Sequence, residues 1–391
     1  MSATPAIEVQ ATLDQPLGMS AETFLRDYWQ KRPLLIRSAF ADFKLPLEPD
    51  DLGGLALGEN VLARLIEHDR DADRWTVHSA PLDEAIFGRL PDRDWTLLVQ
   101  DVDKWDTDVA ELLEAFRFLP SWRIDDIMVS YAEDGGGVGA HVDQYDVFLL
   151  QGHGRRRWRI DASDNPDCAF RDDVELKQLR HFAPSHDWTL EPGDMLYLPP
   201  GVPHDGVADG PCMTFSVGMR APATSELLLD FAEHVAERLP ESRRYADIDL
   251  APAMHNGEID AAALGRAATA LGPIAASMTT PEFAEWFGGF ITRYRCAQFA
   301  APPSHAVNAD ELVQALSAGT SLLRHPWTRL AWTRHPGGTT LFASGESLAC
   351  PRQLAERLCN HASLQFDVPP TDAECEVLTA LVNQGHLVLR S

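Results

Sequence analysis

The hydrophobic pattern of residues 1–120 combines one helical segment with short strand-like runs. Ser20 precedes apolar side chains at helical spacing over 24–29, which predicts a capped helix that Pro33 ends. Short apolar runs bounded by polar turn residues predict three strands, at 34–36, 75–78 and 95–100.

Strand patterns dominate residues 123–218. The apolar runs here are short, and Gly-, Pro- and Asp-rich turns separate them. Strands are predicted at 127–131, 146–151, 157–160, 195–198 and 213–217. Short strands at this density predict a closed or sandwiched all-β unit.

The pattern becomes helical after Ala221. Thr224 and Ser225 can cap a helix with one apolar face, and Thr280 begins another, so 222–300 is predicted to be all-α. The linker 301–304 then leads into a third unit.

Residues 301–391 combine predicted helices with a small hairpin. Asn308 begins one helix, and a capping box from Thr371 to Glu374 begins the last. Two strand-like runs flank the turn 335–338, so this unit resembles a winged helix. Residues 302–391 carry six basic and eight acidic side chains, which favours contact with protein over direct contact with nucleic acid.

The composition is globular and strongly acidic. The 391 residues include 33 Lys and Arg against 59 Asp and Glu, a formal net charge of −26. This charge argues against a protein that binds phosphate backbones and suits a basic partner.

The six scattered cysteines lack a C-x-x-C pair and indicate reduced thiols of a cytoplasmic protein. No apolar run reaches membrane-spanning length, and residues 1–16 lack an export signal, so neither membrane insertion nor export is expected.

Two short motifs point to a metal. If His141 and Asp143 are extended, their side chains share one face and can chelate one ion. The stretch 193–204 has the spacing of the second cupin motif up to its histidine, His204, with Ala208 where that motif usually ends in asparagine. Two histidines and one carboxylate form the facial triad of non-haem Fe(II) oxygenases. Zinc would more often take three histidines, or two and a glutamate.

The glycine-rich stretch 135–140 also fits a dinucleotide fingerprint. Such a fingerprint requires a helix after the glycines, whereas 141–150 is strand-like. The glycines are therefore interpreted as a close backbone turn over the site, with a plain hairpin turn as the alternative.

Four arginines lie on the predicted strand around Trp158. Arg156 shares a face with Trp158, and Arg155, Arg157 and Arg159 lie on the other. An arginine that points into a barrel needs an anion, and a carboxylate pairs with it through two hydrogen bonds. We expect Arg156 to point inward and the other three to form surface ion pairs.

Segments throughout the chain resemble the bacterial ribosomal oxygenases, which are JmjC-type, cupin-fold enzymes dependent on Fe(II) and 2-oxoglutarate. The segments that carry this resemblance are 29–34, 125–130, 135–139, 141–148, 154–158, 199–204, 215–222 and 286–288. The resemblance implies an α+β multidomain protein. Its expected parts are a double-stranded β-helix (jelly-roll) catalytic domain within 1–221 with its core at about 108–221, an all-α dimerisation domain at 222–300, and a winged helix at 301–391.

The resemblance also implies an activity. Bacterial members hydroxylate the β-carbon of an arginine in a large-subunit (50S) ribosomal protein, with Fe(II) as cofactor and with 2-oxoglutarate and O₂ as co-substrates. A homodimer that acts on a basic ribosomal protein in the cytoplasm is therefore expected.

Site residues are carried over position by position. The implied iron ligands are His141, Asp143 and His204, and the implied partner of the 2-oxoglutarate carboxylate is Arg156. The residues expected to assist are Ser130 as a hydroxyl beside the co-substrate, and Tyr145 and Ser216 as contacts of the target arginine. Ala132 stands where related members can carry a hydroxyl, which leaves the second anchor of the co-substrate open.

Two other functions fit the same residues. A 2-oxoglutarate oxygenase with another protein target, such as histidine, would carry the same triad. A metal-sensing dimer without enzymatic activity, with a cupin sensor and a winged-helix reader, belongs to a different class.

Overall fold

The computed structural model describes residues 6–248, 250–252, 257 and 259–390. The chain divides into two compact units, Met1–Ala221 and Pro222–Ser391. Over the described part of the chain, no helix is both long and apolar enough to cross a lipid bilayer.

The first unit is built around one large sheet. Its strands among the described residues are β1 Glu8–Gln10, β2 Leu34–Arg37, β3 Ala63–Asp69, β4 Arg74–Ser79, β5 Trp95–Val99, β6 Ile124–Ala132, β7 Val147–Ile160, β8 His186–Leu190, β9 Met195–Leu198 and β10 His204–Met219. Its helices are α1 Ala21–Asp27, α2 Pro49–Ala56, α3 Val102–Trp105 and α4 Thr107–Glu111, with 3₁₀ turns at Glu84–Arg89, Leu112–Phe116 and Ser121–Arg123.

Two long strands organise this sheet. The strand order is β1-β2-β9-β7-β10-β6-β5-β3-β4, and β8 also pairs with β7. Residues 147–150 of β7 pair with β9, whereas 156–160 pair with β8. The register of β10 against β7 shifts between Asp209 and Met213, and the second half of β10 also pairs with β6. Because each long strand changes neighbours at mid-length, the sheet folds over itself as a double-stranded β-helix.

Alternation along the strands separates a packed face from a face that carries the candidate site. Ile127 and Val129 on β6 and Phe215 on β10 are buried in the main core, together with Phe24 of α1 and Tyr197 of β9. Since neighbouring residues of a strand point to opposite faces, the residues between them project to the other face. Among these are Asp126, Met128, Ser130 and Ser216.

The second unit contains helices followed by a mixed α/β part. Its helices are α5 Thr224–Ala236, α6 Ala261–Ala270, α7 Gly272–Ser277, α8 Pro281–Thr292, α9 Ala309–Ser317, α10 Arg352–Asn360 and α11 Asp372–Asn383, with a 3₁₀ turn at Ala297–Phe299. Its strands are β11 Ser321–Arg324, β12 Leu330–His335, β13 Gly338–Ala343, β14 Glu346–Ala349, β15 Ser363–Leu364 and β16 Leu387–Arg390. Helices α9 to α11 share one hydrophobic core with these strands.

Helix starts follow the predicted caps with one exception. Ser20 caps α1, and the capping boxes begun by Asn308 and Thr371 are both formed. Helix α5 instead has Ala223 at its N-cap, because Glu226 bonds back to the Ala223 amide. Thr224 is therefore the first helical residue and not a cap.

Two strand predictions were wrong in detail. The predicted strands 146–151 and 157–160 are parts of one continuous strand, β7, which runs through Gly152 and Gly154. The stretch 141–150 was predicted to be strand-like throughout, but only 147–150 lies in a strand. His141 makes an isolated bridge to His204.

Candidate metal and co-substrate site

Two histidines and one carboxylate converge beside the start of β10. The backbones of His141 and His204 exchange two hydrogen bonds of 2.9 Å each. The ligating atoms of His141, Asp143 and His204 lie within 4.8 Å of one another. His204 Nε2 is 3.7 Å from Asp143 Oδ2. The structure thus brings together the three residues that the sequence singled out.

Both imidazoles are oriented by backbone carbonyls. His141 Nδ1 lies 2.9 Å from the carbonyl of Gly139, and His204 Nδ1 lies 2.9 Å from that of Val202. Because a carbonyl only accepts, each Nδ1 must donate, which leaves the Nε2 lone pair free to bind a metal. Burial and the neighbouring His141 hold the pKa of His204 well below its usual range. This ring is therefore neutral, as a ligand must be.

Asp143 lies in a setting that favours a cation. Burial raises the pKa of its carboxyl, and His141 and a hydrogen bond from Tyr145 oppose that rise. Burial raises the pKa of the Tyr145 phenol, and the nearby charge of Asp143, which accepts a hydrogen bond from the phenol, raises it further. A bound divalent cation would offset the desolvation of Asp143.

Arg156 is buried on the inward face of β7. Only 4% of its surface is exposed, and its guanidinium lies 5.2 Å from the centre of the Trp158 ring. It donates to Ser130 Oγ at 3.1 Å and to the Gly206 carbonyl at 3.2 Å. Its Nε is buried without a partner, and none of the described carboxylates forms an ion pair with it. A buried guanidinium with an unpaired donor and no ion-pair partner can bind an anionic ligand.

The other three arginines of β7 behave as predicted. Each points outward and forms an ion pair with an aspartate of a neighbouring strand. The pairs are Arg155 with Asp209 at 3.0 Å, Arg157 with Asp187 at 2.8 Å, and Arg159 with Asp205.

Two glycines keep the backbone close to these side chains. A Cβ on Gly206 would lie 2.6 Å from the Trp158 ring and 2.9 Å from Arg156 Nε. Gly139 has φ +78°, a conformation that favours glycine, and its carbonyl is the one that orients His141. Gly139 belongs to the glycine-rich stretch 135–140, whereas Gly206 lies on β10.

The remaining predicted residues lie along the same face. Ser130 is buried and bonds to Arg156, and Ser216 is buried opposite Met128 in the β6–β10 ladder. Ala132 packs with Ala208 and Cys212 in a small apolar cluster. The structure places these residues but leaves their contacts with co-substrate and target arginine as predictions.

Asp126 is a further candidate residue that the sequence reasoning did not single out. It lies four residues before Ser130, on the same face of β6. Burial and the neighbouring carboxylates of Asp101, Asp125 and Asp103 raise its pKa to about 7. Its charge also contributes to the raised pKa of Tyr145. The pair Asp125–Asp126 at the start of a strand was the available signal, but only the fold shows which of the two faces the site.

The donor set fits a non-haem iron and a dicarboxylate. Two neutral imidazoles and one carboxylate are the donor set that would hold a non-haem iron and leave it accessible to a co-substrate. Arg156, with its unpaired Nε, and His204 both lie beside the Trp158 ring, the guanidinium 5.2 Å and the imidazole 5.9 Å from the centre of that ring. Fold and site together define a cupin-type, metal-binding oxygenase.

Comparison with known proteins agrees with this class. A family model described as the JmjC domain matches residues 111–227, and one described as the ROXA-like winged helix matches 277–388. The chain is 37% identical to the ribosomal protein uL16 3-hydroxylase of Escherichia coli over 97% of its own length and 99% of that protein. It therefore belongs to the ribosomal oxygenase family. The predicted cupin and winged-helix folds are confirmed.

Solved structures give the same result. An X-ray structure of Escherichia coli YcfD superposes with a TM-score of 0.84 at 36% identity, covering 95% of this chain and 98% of that one. A second YcfD structure, in complex with cobalt and 2-oxoglutarate, has a TM-score of 0.81 at 35% identity and covers 95% of this chain and 99% of that one.

Proposed function

We propose that this protein is a 2-oxoglutarate- and Fe(II)-dependent hydroxylase that acts on the β-carbon of an arginine in a large-subunit ribosomal protein. The observation that carries the proposal is the convergence of His141, Asp143 and His204 near a buried arginine that lacks a carboxylate partner. The E. coli relative is named as a hydroxylase of ribosomal protein uL16, which makes that protein the first substrate to test.

Each residue has a defined task in this proposal. His141, Asp143 and His204 would hold Fe(II), which would supply the chemistry for O₂ activation. Arg156, oriented by Ser130, holds the distal carboxylate of 2-oxoglutarate. The reaction consumes one O₂ and one 2-oxoglutarate and yields succinate, CO₂ and one hydroxyl on the substrate carbon.

Asp126, Tyr145 and Ser216 are proposed to receive the target arginine. An ionised carboxylate in a partly buried setting pairs strongly with a guanidinium, and a bound cation would offset the burial and the carboxylate repulsion that raise the pKa of Asp126. The first unit carries 40 acidic and 21 basic residues, so a basic ribosomal protein would be attracted over a longer range.

The helical segment is proposed to form a homodimer interface. Four leucines on its helices and loops are largely exposed: Leu228 at 55%, Leu229 at 71%, Leu264 at 61% and Leu271 at 65%. Exposed apolar surface of this kind marks association sites. Light scattering should give twice the monomer mass for the native chain and the monomer mass for Leu229→Lys; a monomeric native chain would contradict the interface.

The winged helix is proposed to contact protein, and the enzyme to work in the cytoplasm. Among the described residues, Cys168, Cys212, Cys350, Cys359 and Cys375 form no disulfide, in keeping with a reducing compartment. The slight acidity of 302–391 supports a protein-contact role over a nucleic-acid one.

The decisive experiment is anaerobic reconstitution with Fe(II) and 2-oxoglutarate, followed by air and an arginine-containing uL16 peptide. Mass spectrometry should show one added oxygen atom on the arginine, dependent on 2-oxoglutarate. Succinate release without peptide modification would retain the oxygenase and reject the substrate. Neither product with bound iron would favour a metal sensor.

A further inference from the structure

The connection between β7 and β8 folds back on the loop that carries the first metal ligand. Within it, residues 169–180 form a short ladder, here named the strap. The Arg171 amide donates to the Gln178 carbonyl at 2.8 Å, and the Arg180 amide donates to the Ala169 carbonyl at 2.7 Å. The strap is therefore an ordered element and not an open surface loop.

Two hydrogen bonds tie the strap to the segment just before His141. The Leu179 amide donates to the Ala140 carbonyl at 2.7 Å. The Gln178 side-chain amide donates to the Val138 carbonyl at 2.9 Å. Gln178 is only 3% exposed, so this bond is shielded from competing water.

Gln178 also fills the space beside Gly139. A Cβ at Gly139 would lie 2.6 Å from Gln178 Nε2 and 2.8 Å from its Cδ. The Gly139 carbonyl in turn accepts the hydrogen bond from His141 Nδ1 that orients the imidazole. Gln178 thus packs against the peptide that sets the direction of the first ligand.

The second anchor of the strap is more exposed. Arg171 bonds to Asp73 on the β3–β4 turn at 2.9 Å and to Asp173 within the strap at 2.8 Å. Exposed ion pairs of this kind contribute little to stability. The contacts made by Gln178 and Leu179 are therefore the main ones that couple the strap to the ligand loop.

We propose that Gln178 is a positioning residue for the metal site and acts on His141 through Val138 and Gly139. The inference rests on the proposed function, in that it takes His141, Asp143 and His204 to bind a metal. Residues outside the ligand set that orient a ligand change metal affinity by about 10- to 100-fold when replaced. Because Gln178 acts through one intervening peptide, the lower end of that range is expected.

The test is Co(II) titration of the full-length protein, followed by visible absorption, which reports the coordination geometry. Cobalt is the metal in the complex of the YcfD relative. Gln178→Glu keeps the shape but sets an acceptor against the Val138 carbonyl, so Co(II) affinity should fall about tenfold and the absorption bands should change. Gln178→Met fills the same space without the hydrogen bond and should give a smaller change of the same kind. The exposed neighbour Lys177→Gln is the matched control and should match the native protein.

Three outcomes would overturn the inference. An unchanged cobalt affinity and unchanged absorption bands in Gln178→Glu would overturn it, even if the melting temperature of the variant fell, because the role of Gln178 would then be structural only. An equal change in Lys177→Gln would show an unspecific loop effect. Absence of cobalt binding in the native protein would reject the metal site itself. The native protein is therefore titrated first, which separates failure of the metal site from failure of the role proposed for Gln178. If Gln178→Glu loses the native circular dichroism spectrum, Gln178→Met decides by the same criteria.

Discussion

The two faces of β7 carry the same residue type in opposite settings. Arg155, Arg157 and Arg159 point outward, and each has an aspartate within ion-pair distance. Arg156 points inward, is 4% exposed, and bonds only to a serine hydroxyl and a backbone carbonyl. The chain has 59 acidic residues. Among the described residues, however, Arg156 is the one of these four arginines that forms no ion pair with a carboxylate.

This difference shows how a ligand site can be recognised. Burial of an unpaired charge costs several kcal/mol, so a stable fold keeps one only where a ligand completes the pair. Arg155 and Arg157 are exposed to water, where pairing adds about 0–1 kcal/mol and contributes weakly to stability. The same strand therefore separates a functional face from a solvent face, and substitutions on the two faces should have different consequences.

We expect the largest effect on activity from substitution of a proposed metal ligand, next to the inward face of β7. Asp143→Ala removes the only anionic ligand, so peptide hydroxylation and succinate release should both fall below detection. The fold should persist, because the loop is held by backbone bonds such as that from the Gly201 amide to the Asp143 carbonyl. Retained succinate production would remove Asp143 from the triad.

Arg156→Ala tests the inward face directly. Loss of charge-assisted hydrogen bonds of about 1.5–3 kcal/mol each should raise the KM for 2-oxoglutarate about 100-fold and leave peptide KM nearly unchanged. The matched control is Arg157→Ala on the outward face, which should leave both constants at the native value. Equal effects of the two variants would contradict the distinction between the faces.

The residues of this face could be recognised from sequence to different degrees. His141, Asp143 and His204 belong to short motifs with fixed spacing, and strand alternation alone was enough to separate Arg156 from its neighbours. Those inferences depend only on the spacing of residues within one segment, because motif spacing and strand alternation are local properties.

Asp126 and Gln178 could not be recognised in the same way. The raised pKa of Asp126 results first from burial and then from neighbouring carboxylates, among them Asp101 and Asp103 of another segment, and both causes arise only in the fold. Gln178 reaches Val138 from 40 residues away through a connection with no regular strand or helix. Continuity of β7 across Gly152 and Gly154 was missed for a related reason, since pairing with β10 overrides the local turn preference of glycine.

A smaller effect is expected at the substrate end of the inward face. Asp126→Asn should raise peptide KM about tenfold, in line with the loss of one charge-assisted bond. Because its pKa is raised to about 7, only the ionised form above that pH attracts a guanidinium. Native kcat/KM for the peptide should therefore rise from pH 6 to pH 8, and the Asn variant should show no such rise.

Stability should show the opposite dependence on pH. The pKa of Asp126 is 3.8 as the reference value and about 7 in the folded chain, so the folded state binds the proton more tightly. The free energy of unfolding should therefore fall as pH rises from about 4 to about 7, and Asp126→Asn should lessen that fall in denaturant titrations. A native pH dependence in the variant would assign the titration to another group.

The smallest effect belongs to the solvent face. Arg157 and Asp187 are 56% and 44% exposed, and the pairing lowers the pKa of Asp187. Arg157→Ala should change the free energy of unfolding by less than about 1 kcal/mol, and high salt should reduce the difference because it screens exposed charges. Arg156→Ala should change stability by an amount that depends little on salt, since the Arg156 side chain is buried and shielded from dissolved ions. Urea titrations of both variants at low and high salt would compare the two faces of β7 without any measurement of catalysis. A large, salt-independent loss in Arg157→Ala would mean that the outward arginines also serve the fold.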